Sequence, residues 1–291
     1  MTQAMEFLKV HGAGNDFVLL PDLDDRFMLT PALVRALCDR HRGIGGDGVI
    51  RLGGARDGVT ADAFMDYHNA DGSLAEMCGN GVRTVAKYLA DRGLSRGDHQ
   101  VAVDTRAGIK QVVCQRGDDG LVESCTVDMG TPVPGEVATR LSLPDGSQVT
   151  TTTVSMGNPH AVILVDDVSS AEVARIGPLV EHHPAFDQGT NVEFIQVPDR
   201  GTVHGRIWER GVGETLASGT GGSAMAVGAI LNGLTDRKVA VHLPGGTLLV
   251  DWTPHTLFVT GPAVEIAVGS IDRSWLDALD PTRTPSVGVD A

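Results

Sequence analysis

The sequence is poor in aromatic residues, in cysteine and in basic side chains, and it has no long apolar run. Aromatic residues make up 4% of its 291 residues, and 23 Lys and Arg face 37 Asp and Glu, for a formal charge of −14. Phosphate binding needs clustered Lys and Arg, so this balance argues against a nucleic-acid partner. No stretch approaches the roughly 18–20 apolar residues that span a bilayer, so we expect no membrane partner.

Four cysteines are present: Cys38, Cys78, Cys114 and Cys125. None forms a Cys-x-x-Cys pair or lies at zinc-site spacing from His, so we expect no metal. Met1–Lys9 lacks a basic region followed by an apolar stretch, which predicts no secretory signal, a cytoplasmic location and free thiols. Cys38, Cys114 and Cys125 lie in periodic segments and are expected to be small buried hydrophobes. Cys78 differs because it lies in a Gly-rich turn.

The chain consists mainly of short strand-like segments separated by Gly, Pro, Asn and Asp turns. Strands and helices do not alternate regularly, which disfavours a parallel doubly wound sheet and favours mainly antiparallel sheet around a few helices. The length predicts two domains. Helical periodicity predicts helices at 31–41, 81–92, 171–181 and 221–231. The predicted strands are 17–20, 63–67, 111–114, 125–129, 161–165, 192–197, 205–209, 239–243, 247–252 and 264–269.

Two short motifs each occur twice. Residues 14–17 (GNDF) resemble 157–160 (GNPH) at an offset of 143, and 78–81 (CGNG) resemble 218–221 (SGTG) at an offset of 140. Each copy of the second motif opens a helical run of small residues. Two pairs in the same order at nearly equal offsets predict a duplicated domain with a pseudo-two-fold relation. We expect domains at 1–130 and 131–274, with a tail at 275–291 packing on the first.

The motif at 78–81 combines a thiol with the start of a helix. A helix N-terminus offers unpaired N–H groups and a partial positive charge, and glycines let a carboxylate approach them. A cysteine there can have its pKa lowered from about 8.5 towards neutrality. The turn therefore predicts a carboxylate site with a base beside the α-carbon. The alternative is that Gly79 and Gly81 form only a tight turn and Cys78 a buried cap.

The motif at 218–221 supplies the same geometry from the other half. Two helix starts directed at one carboxylate would stabilise the charge that develops as an α-proton leaves. A base on each face of the carbon would invert its stereochemistry without a cofactor. Residues 43–48 (GIGGDG) lack the Gly-Lys-Ser/Thr ending of a phosphate loop, and no Gly-x-Gly-x-x-Gly opens a βαβ unit, so we expect no nucleotide.

Residues 69–83 (NADGSLAEMCGNGVR) resemble the signature of the diaminopimelate epimerases. The resemblance implies a homodimeric, cytoplasmic isomerase of lysine and peptidoglycan biosynthesis that acts on diaminopimelate without pyridoxal phosphate, other cofactor or metal. It implies an α/β (α+β) fold of two similar pseudo-symmetric domains, each a curved, mainly antiparallel sheet around a central helix, with the active site in the cleft between them. The likeness continues through residues 12–17, 43–48, 157–160, 190–193 and 209–215.

The resemblance also implies roles for individual residues. Cys78 would be one catalytic acid/base and position 218 the other, with His160 and Glu209 nearby to set their protonation. Asp71 lies within the signature, and we interpret it as structural. The backbone amides expected to hold the reacting carboxylate are those of Gly79, Asn80, Gly219 and Thr220. The far amino-acid end of the substrate would be held by Asn15, Asn69, Asn158, Asn191 and Arg210.

The family has a second cysteine where this chain has Ser218. A hydroxyl is a far weaker acid than a thiol, and no nearby motif predicts a triad to activate it. We therefore expect impaired two-sided proton exchange, with half-reactions at Cys78 surviving. Three interpretations are open: a deliberate Cys→Ser substitution, a natural relative that acts on another amino acid or catalyses elimination, and a non-catalytic binding protein. Retention of the five residues for the far end of the substrate favours an altered or inactive diaminopimelate epimerase.

Overall fold

The computed structural model describes residues 5–279. Within them the chain forms mixed sheet around two central helices, and 4 of the 17 strand pairings are parallel. The expected α+β class with mainly antiparallel sheet is confirmed. No helix in this part of the chain is both long and apolar enough to cross a membrane.

The first half contains one surface helix and one central helix. The elements of the first half are β1 (Met5–Gly12), β2 (Asn15–Asp22), α1 (Pro31–Cys38), β3 (Gly48–Gly53), β4 (Ala63–Asn69), α2 (Gly79–Asp91), β5 (Gln100–Thr105), β6 (Gly108–Arg116) and β7 (Val122–Gly130). Helix α1 starts where the Thr30 hydroxyl accepts a hydrogen bond from Leu33 N, with Pro31 at the first helical position, where its missing N–H costs nothing.

The second half repeats this order with short additions. Its elements are β8 (Val133–Pro134), β9 (Thr139–Ser142), β10 (Gln148–Ser155), β11 (Pro159–Leu164), α3 (Val173–Glu181), β12 (Asn191–Asp199), β13 (Thr202–Glu209), β14 (Gly213–Thr215), α4 (Gly219–Leu231), β15 (Lys238–Leu243), β16 (Gly246–Trp252) and β17 (Leu257–Pro262). Strand β18 (Val264–Ile271) and helix α5 (Arg273–Ala278) follow. All four predicted helices are present.

Strand pairing repeats between the halves. In the first half β1–β2, β3–β4, β5–β6 and β6–β7 are antiparallel, whereas β2–β3 and β4–β5 are parallel. The second half has the same pattern in β10–β11, β12–β13, β15–β16 and β16–β17, with β11–β12 and β13–β15 parallel. Phe17 lies opposite Gly48, and His160 lies opposite Asn191, so the register repeats at the offset of 143. The duplication extends to single residues.

The two halves join through strands β7 and β17, which pair antiparallel. Strand β18 returns to pair with β1, and Trp275 and Leu276 pack on the apolar cluster that includes Val34 and Leu37 of α1. The largest apolar cluster runs through both halves around α2 and α4. The division at 130/131 stays a prediction, and residues 280–291 of the predicted tail lie outside the described residues.

Candidate active site

The two repeated motifs meet where helices α2 and α4 begin. Cys78 and Ser218 occupy the N-cap positions with nearly identical extended backbones (φ −136°, ψ 117° and φ −138°, ψ 133°). A Cβ built on Gly219 would lie 3.3 Å from the Gly79 Cα, so the two helix starts are in direct contact. Glycine at both positions permits that approach. The fold therefore brings both motifs to one junction between the halves.

The second glycine of each motif serves packing. A Cβ on Gly81 would lie 2.7 Å from Cε of Met65, and one on Gly221 would lie 2.2 Å from Cδ1 of Ile207. Met65 and Ile207 lie on β4 and β13, the strands beneath each helix. These glycines allow the helices to start close against the sheet.

Cys78 is half-buried, and its Sγ lies 3.6 Å from Oδ1 of Asn15. The pKa of the Cys78 thiol is raised to about 11, chiefly by burial and in addition by the Glu209 carboxylate. The backbone amides of Gly81 and Asn80 act in the opposite direction but are outweighed. The expectation of a lowered thiol pKa is therefore wrong, because loss of hydration exceeds the effect of the helix start.

Ser218 has different surroundings. Its Oγ accepts a hydrogen bond of 3.2 Å from Gly221 N and lies 3.5 Å from Oγ1 of Thr220. Burial raises the pKa of the nearby Glu209 carboxyl, while hydrogen bonds from Thr215 and Ser218 lower it. The Thr215 hydroxyl donates to Glu209 Oε1 at 2.6 Å. A carboxyl group, rather than an amide, thus accompanies the second cap.

His160 is buried and held from both ring nitrogens. Nδ1 lies 2.6 Å from Oε1 of Glu193, and Nε2 lies 2.9 Å from Oδ1 of Asn158. Asn158 Nδ2 in turn lies 3.5 Å from Oγ1 of Thr220. Burial raises the pKa of Glu193, whose Oε2 has no hydrogen-bond partner among the described residues. His160 is thereby connected to the Ser218 side.

Asn191 and Arg210 lie together. Asn191 Oδ1 accepts from Arg210 N at 3.0 Å, and its Nδ2 donates to Pro159 O at 2.9 Å. The exposed Arg210 guanidinium donates to Gln188 O. Asn69 Nδ2 donates to the Ser73 hydroxyl at 3.0 Å.

Asp71 accepts hydrogen bonds from both the backbone N–H and the hydroxyl of Ser73. It shapes the turn, which agrees with the structural role that we expect for it. Its carboxyl is exposed, and those hydrogen bonds lower its pKa.

Two cavities border partners of the site residues, and the lining of neither includes Cys78, Ser218 or the glycines of the helix starts. One of about 600 Å³ is bordered by Asp47, Thr215 and the turn at Gly14. The other, of about 440 Å³, reaches His160 and Pro159 from the β8–β10 side. Within residues 5–279, no group of three or more His, Cys, Asp or Glu side chains is placed to hold a metal ion.

Comparison with known families decides the relationship. The family model described as diaminopimelate epimerase matches residues 7–134 and 152–266. The chain belongs to the diaminopimelate epimerase family. A diaminopimelate epimerase of Leptospira biflexa is 41% identical over 281 residues, covering 92% of this chain and 99% of the relative. Diaminopimelate epimerase 1 of a Nostoc species is 44% identical over 288 residues, with 92% and 100% covered.

Solved structures share the fold of this diaminopimelate epimerase family member at low identity. A probable proline racemase from Agrobacterium radiobacter has a TM-score of 0.71 at 18% identity, covering 95% of this chain and 94% of that one. A hydroxyproline epimerase from Agrobacterium vitis has a TM-score of 0.70 at 18% identity, with 93% of each chain covered. These likenesses bear on the fold alone.

Several partners of the site residues were not identified by sequence reasoning as site residues. Glu193 and Thr215 lie within the family-like motifs at 190–193 and 209–215, and Arg83 ends the 69–83 signature, but no pattern indicated a role for them. Asp47, which accepts a hydrogen bond of 2.7 Å from Asn15 Nδ2, lies in the 43–48 stretch, which is part of the family resemblance but predicted no role for this side chain. Each of these residues lies in a recognisable motif, but its contact with a site residue depends on the tertiary fold.

Proposed function

We propose that this chain acts on diaminopimelate, exchanging the proton at its α-carbon without a cofactor, in the interconversion of the LL and meso forms that belongs to lysine biosynthesis. Family membership supports the substrate and the reaction. The observation that carries the proposal is the contact between the Gly79 and Gly219 helix starts, each preceded by a proton-bearing side chain. Two sets of helix N–H groups there suit one carboxylate.

In this proposal the α-carboxylate accepts hydrogen bonds from the amides at both helix starts. The Cys78 thiol first loses its own proton to solvent. As the α-proton then passes to its sulfur, the electron pair of the C–H bond delocalises into the carboxylate, where the amides stabilise it. Reprotonation from the other face comes from Ser218, leaving an oxyanion that must recover a proton. Residues assigned to the carboxylate are Gly79, Asn80, Gly219 and Thr220, and those assigned to the far end are Asn15, Asn69, Asn158, Asn191 and Arg210.

Ser218 makes the two faces unequal. Its hydroxyl is a much weaker acid than a thiol, so it is a poor proton donor and almost never a base near neutral pH. His160 and Glu209 support this side, and Glu209 is the nearest group that could remove the hydroxyl proton. We expect exchange on the Cys78 face and slow completion of the epimerisation.

The test is a turnover assay on LL- and meso-diaminopimelate with the parent chain and Ser218→Cys, together with deuterium incorporation at the α-carbon. We expect Ser218→Cys to raise epimerisation by about 10² or more, the usual contribution of a positioned acid/base. Ser223→Cys is the matched control. Ser223 lies further along α4 and donates its hydroxyl proton to Gly219 O, so a thiol there should give no gain.

No gain from Ser218→Cys would contradict the missing-base account. Binding of diaminopimelate without exchange would identify a binding protein, and absence of binding would point to another amino acid.

We further propose a cytoplasmic homodimer. Support comes from two exposed apolar side chains on β18, Ile266 and Val268, which a partner subunit would cover. The backbone of β18 is already paired with β1, so a contact there would form through these side chains. Light scattering should give twice the mass of the chain for the parent protein and the mass of a single chain for Ile266→Glu. Fractionation should recover the protein with the cytosol, and a monomeric mass for the parent chain would overturn the dimer.

A further inference from the structure

We propose that a one-directional chain of hydrogen bonds holds the side-chain carbonyl of Asn15 against the Cys78 sulfur, and so keeps Cys78 in its thiol form before substrate binds. Asn15 is then a positioning residue for the acid. The importance of the thiol form for turnover rests on the proposed function, whereas the chain of hydrogen bonds does not. It runs from Arg83 through Asn80 and Asn15 to Asp47.

The distances define the chain. Arg83 Nη2 donates to Asn80 Oδ1 at 2.6 Å, and Asn80 Nδ2 donates to Asn15 Oδ1 at 3.1 Å. Asn15 Nδ2 donates to Asp47 Oδ2 at 2.7 Å. The Cys78 sulfur lies 3.6 Å from the same Asn15 Oδ1, within reach of an S–H donor.

The residue types at the ends set the direction. A guanidinium only donates hydrogen bonds, and an ionised carboxylate only accepts them. Asn80 must therefore direct its oxygen to Arg83, and Asn15 must direct its nitrogen to Asp47. Turning the Asn15 amide over would place oxygen against a carboxylate and nitrogen against an amide nitrogen, which loses both bonds.

Both ends are fixed by the fold. Arg83 is fully buried, and its guanidinium fits between Gly12 and Gly261, where an added Cβ would lie 3.1 Å from it in each case. Asp47 is held by Arg40, whose Nη2 lies 2.9 Å from Oδ1 of Asp47. An arginine buried without a carboxylate partner among the described residues is costly, so a role in orienting this site gives its position a physical reason.

The carbonyl favours the thiol because it accepts from S–H and would repel a thiolate. Other groups facing the sulfur act in both directions. Glu209 on β13 also favours the thiol, whereas Arg83 and the backbone amides of Asn80 and Gly81 oppose it. Tyr67 on β4 is a phenol whose pKa burial raises well above its ordinary value, so it is neutral.

The second half does not repeat the chain. At the offset of 143, Asn158 takes the place of Asn15 and Thr190 that of Asp47. Asn158 directs its Oδ1 to His160 instead of to a cap residue. Control of protonation by an amide is thus confined to the half that carries the thiol.

The experiment measures the rate at which iodoacetamide alkylates Cys78 at about pH 8, followed on its peptide by mass spectrometry. Because the pKa of this thiol is about 11, the rate at that pH is proportional to its thiolate fraction. The variants are Asp47→Ala and Asp16→Ala. Each variant removes one of the two carboxylates that Arg40 binds, but of the two only Asp47 accepts a hydrogen bond from the Asn15 side chain. Once Asp47 is absent, the Asn15 amide can turn and donate to a thiolate.

We expect the rate in Asp47→Ala to exceed that in Asp16→Ala by about fivefold, the worth of one hydrogen bond. Equal rates in the two variants would show that charge alone acts and would overturn the proposal. Because neither substrate nor turnover enters the assay, its outcome is independent of the proposed function.

A charge-conserving swap, Asn80→Asp with Asp47→Asn, tests the direction. The carboxylate introduced at position 80 would accept from Arg83 and require the Asn15 nitrogen on that side, next to the sulfur. The reversed chain predicts faster alkylation at about pH 8, whereas a carboxylate moved towards the sulfur predicts slower alkylation. Slower alkylation overturns the proposal, and if the swapped chain does not fold, the Asp47→Ala and Asp16→Ala pair decides.

Discussion

The two halves of the molecule share a backbone and differ in the charge placed on it. At positions related by the offset of 143, the first half has Phe17 and Ile50 where the second has His160 and Glu193. Phe17 packs edge-on against Tyr67 at a ring-centroid distance of 5.7 Å, whereas His160 and Glu193 form a buried hydrogen-bonded pair. Both scaffold positions are apolar in one copy and ionisable in the other.

This difference shows what duplication conserves. Strand register places equivalent Cα atoms alike in both halves, so each helix start meets the junction in the same way. Chemistry is then assigned side chain by side chain. The Cys78 half places the neutral amides of Asn15 and Asn80 near its cap, and the Ser218 half has a histidine and two carboxyl groups whose pKa burial raises.

The largest effect is expected from making the two caps alike. Cys78→Ser would leave hydroxyls at both helix starts, so α-proton exchange with diaminopimelate should fall by about 10² to 10⁴. Deuterium incorporation measures it, with Cys38→Ala as the control, since Cys38 is buried on α1 outside the junction. Equal exchange in Cys78→Ser and the parent chain would remove Cys78 from the reaction.

A second test transfers the apolar pair to the second half. His160→Phe or Glu193→Ile alone should lower the free energy of unfolding by about 3 kcal/mol, because each leaves a buried polar partner unpaired. The double variant should lie within about 1 kcal/mol of the parent chain, since apolar replacement of a buried pair is often neutral. Urea denaturation measures both. Additive losses in the double variant would contradict the pairing.

A third test compares the packing glycines. Gly221→Ala should cost about 2 kcal/mol, because the added Cβ would lie 2.2 Å from Cδ1 of Ile207. Gly81→Ala should cost less, because its closest contacts are longer, 2.7 Å to Cε of the flexible Met65 and 2.9 Å to Cδ1 of Ile50. Thermal or urea unfolding of the two variants measures the difference. Equal costs would mean that the helix starts are packed alike despite the different neighbours.

The smallest effect concerns pH. Burial raises the pKa of Glu209 above its ordinary value of 4.5, so the folded chain retains a proton that the unfolded chain has lost. The free energy of unfolding contributed by this group therefore falls as pH rises from 4.5 through the raised pKa. Glu209→Gln should lack that fall, and Glu214→Gln, which alters a carboxyl paired with Arg206 outside the caps, should retain it. Parallel pH profiles for parent and Glu209→Gln would contradict the raised pKa.

Much of the fold followed from local patterns. Turn residues and period-two alternation located the strands, and small-residue runs located α2 and α4, because these depend on nearest neighbours along the chain. The predicted helix at 221–231 begins two residues later than α4, which starts at Gly219. The prediction is wrong at this end because the glycines there give no apolar periodicity.

The assignment of the site residues stays a prediction, and the contacts among them could not be derived from the sequence. Cys78 and Ser218 were paired by the repeat, but the repeat contains no measure of burial, and the thiol pKa was therefore expected in the wrong direction. The pairing of His160 with Glu193 requires the register between β11 and β12, strands that are joined through α3 and a long connection.

By itself the sequence determined the duplication, the two helix-start motifs and the presence of serine instead of a second cysteine at position 218. Each of these is a matter of residue identity and spacing. Only the tertiary structure decided how close the helix starts come, which side chain faces each cap and in which direction the amides point. Those outcomes depend on burial and on contacts between residues distant in the chain, and a thiol, an amide or a carboxyl group changes its behaviour with the water and partners around it.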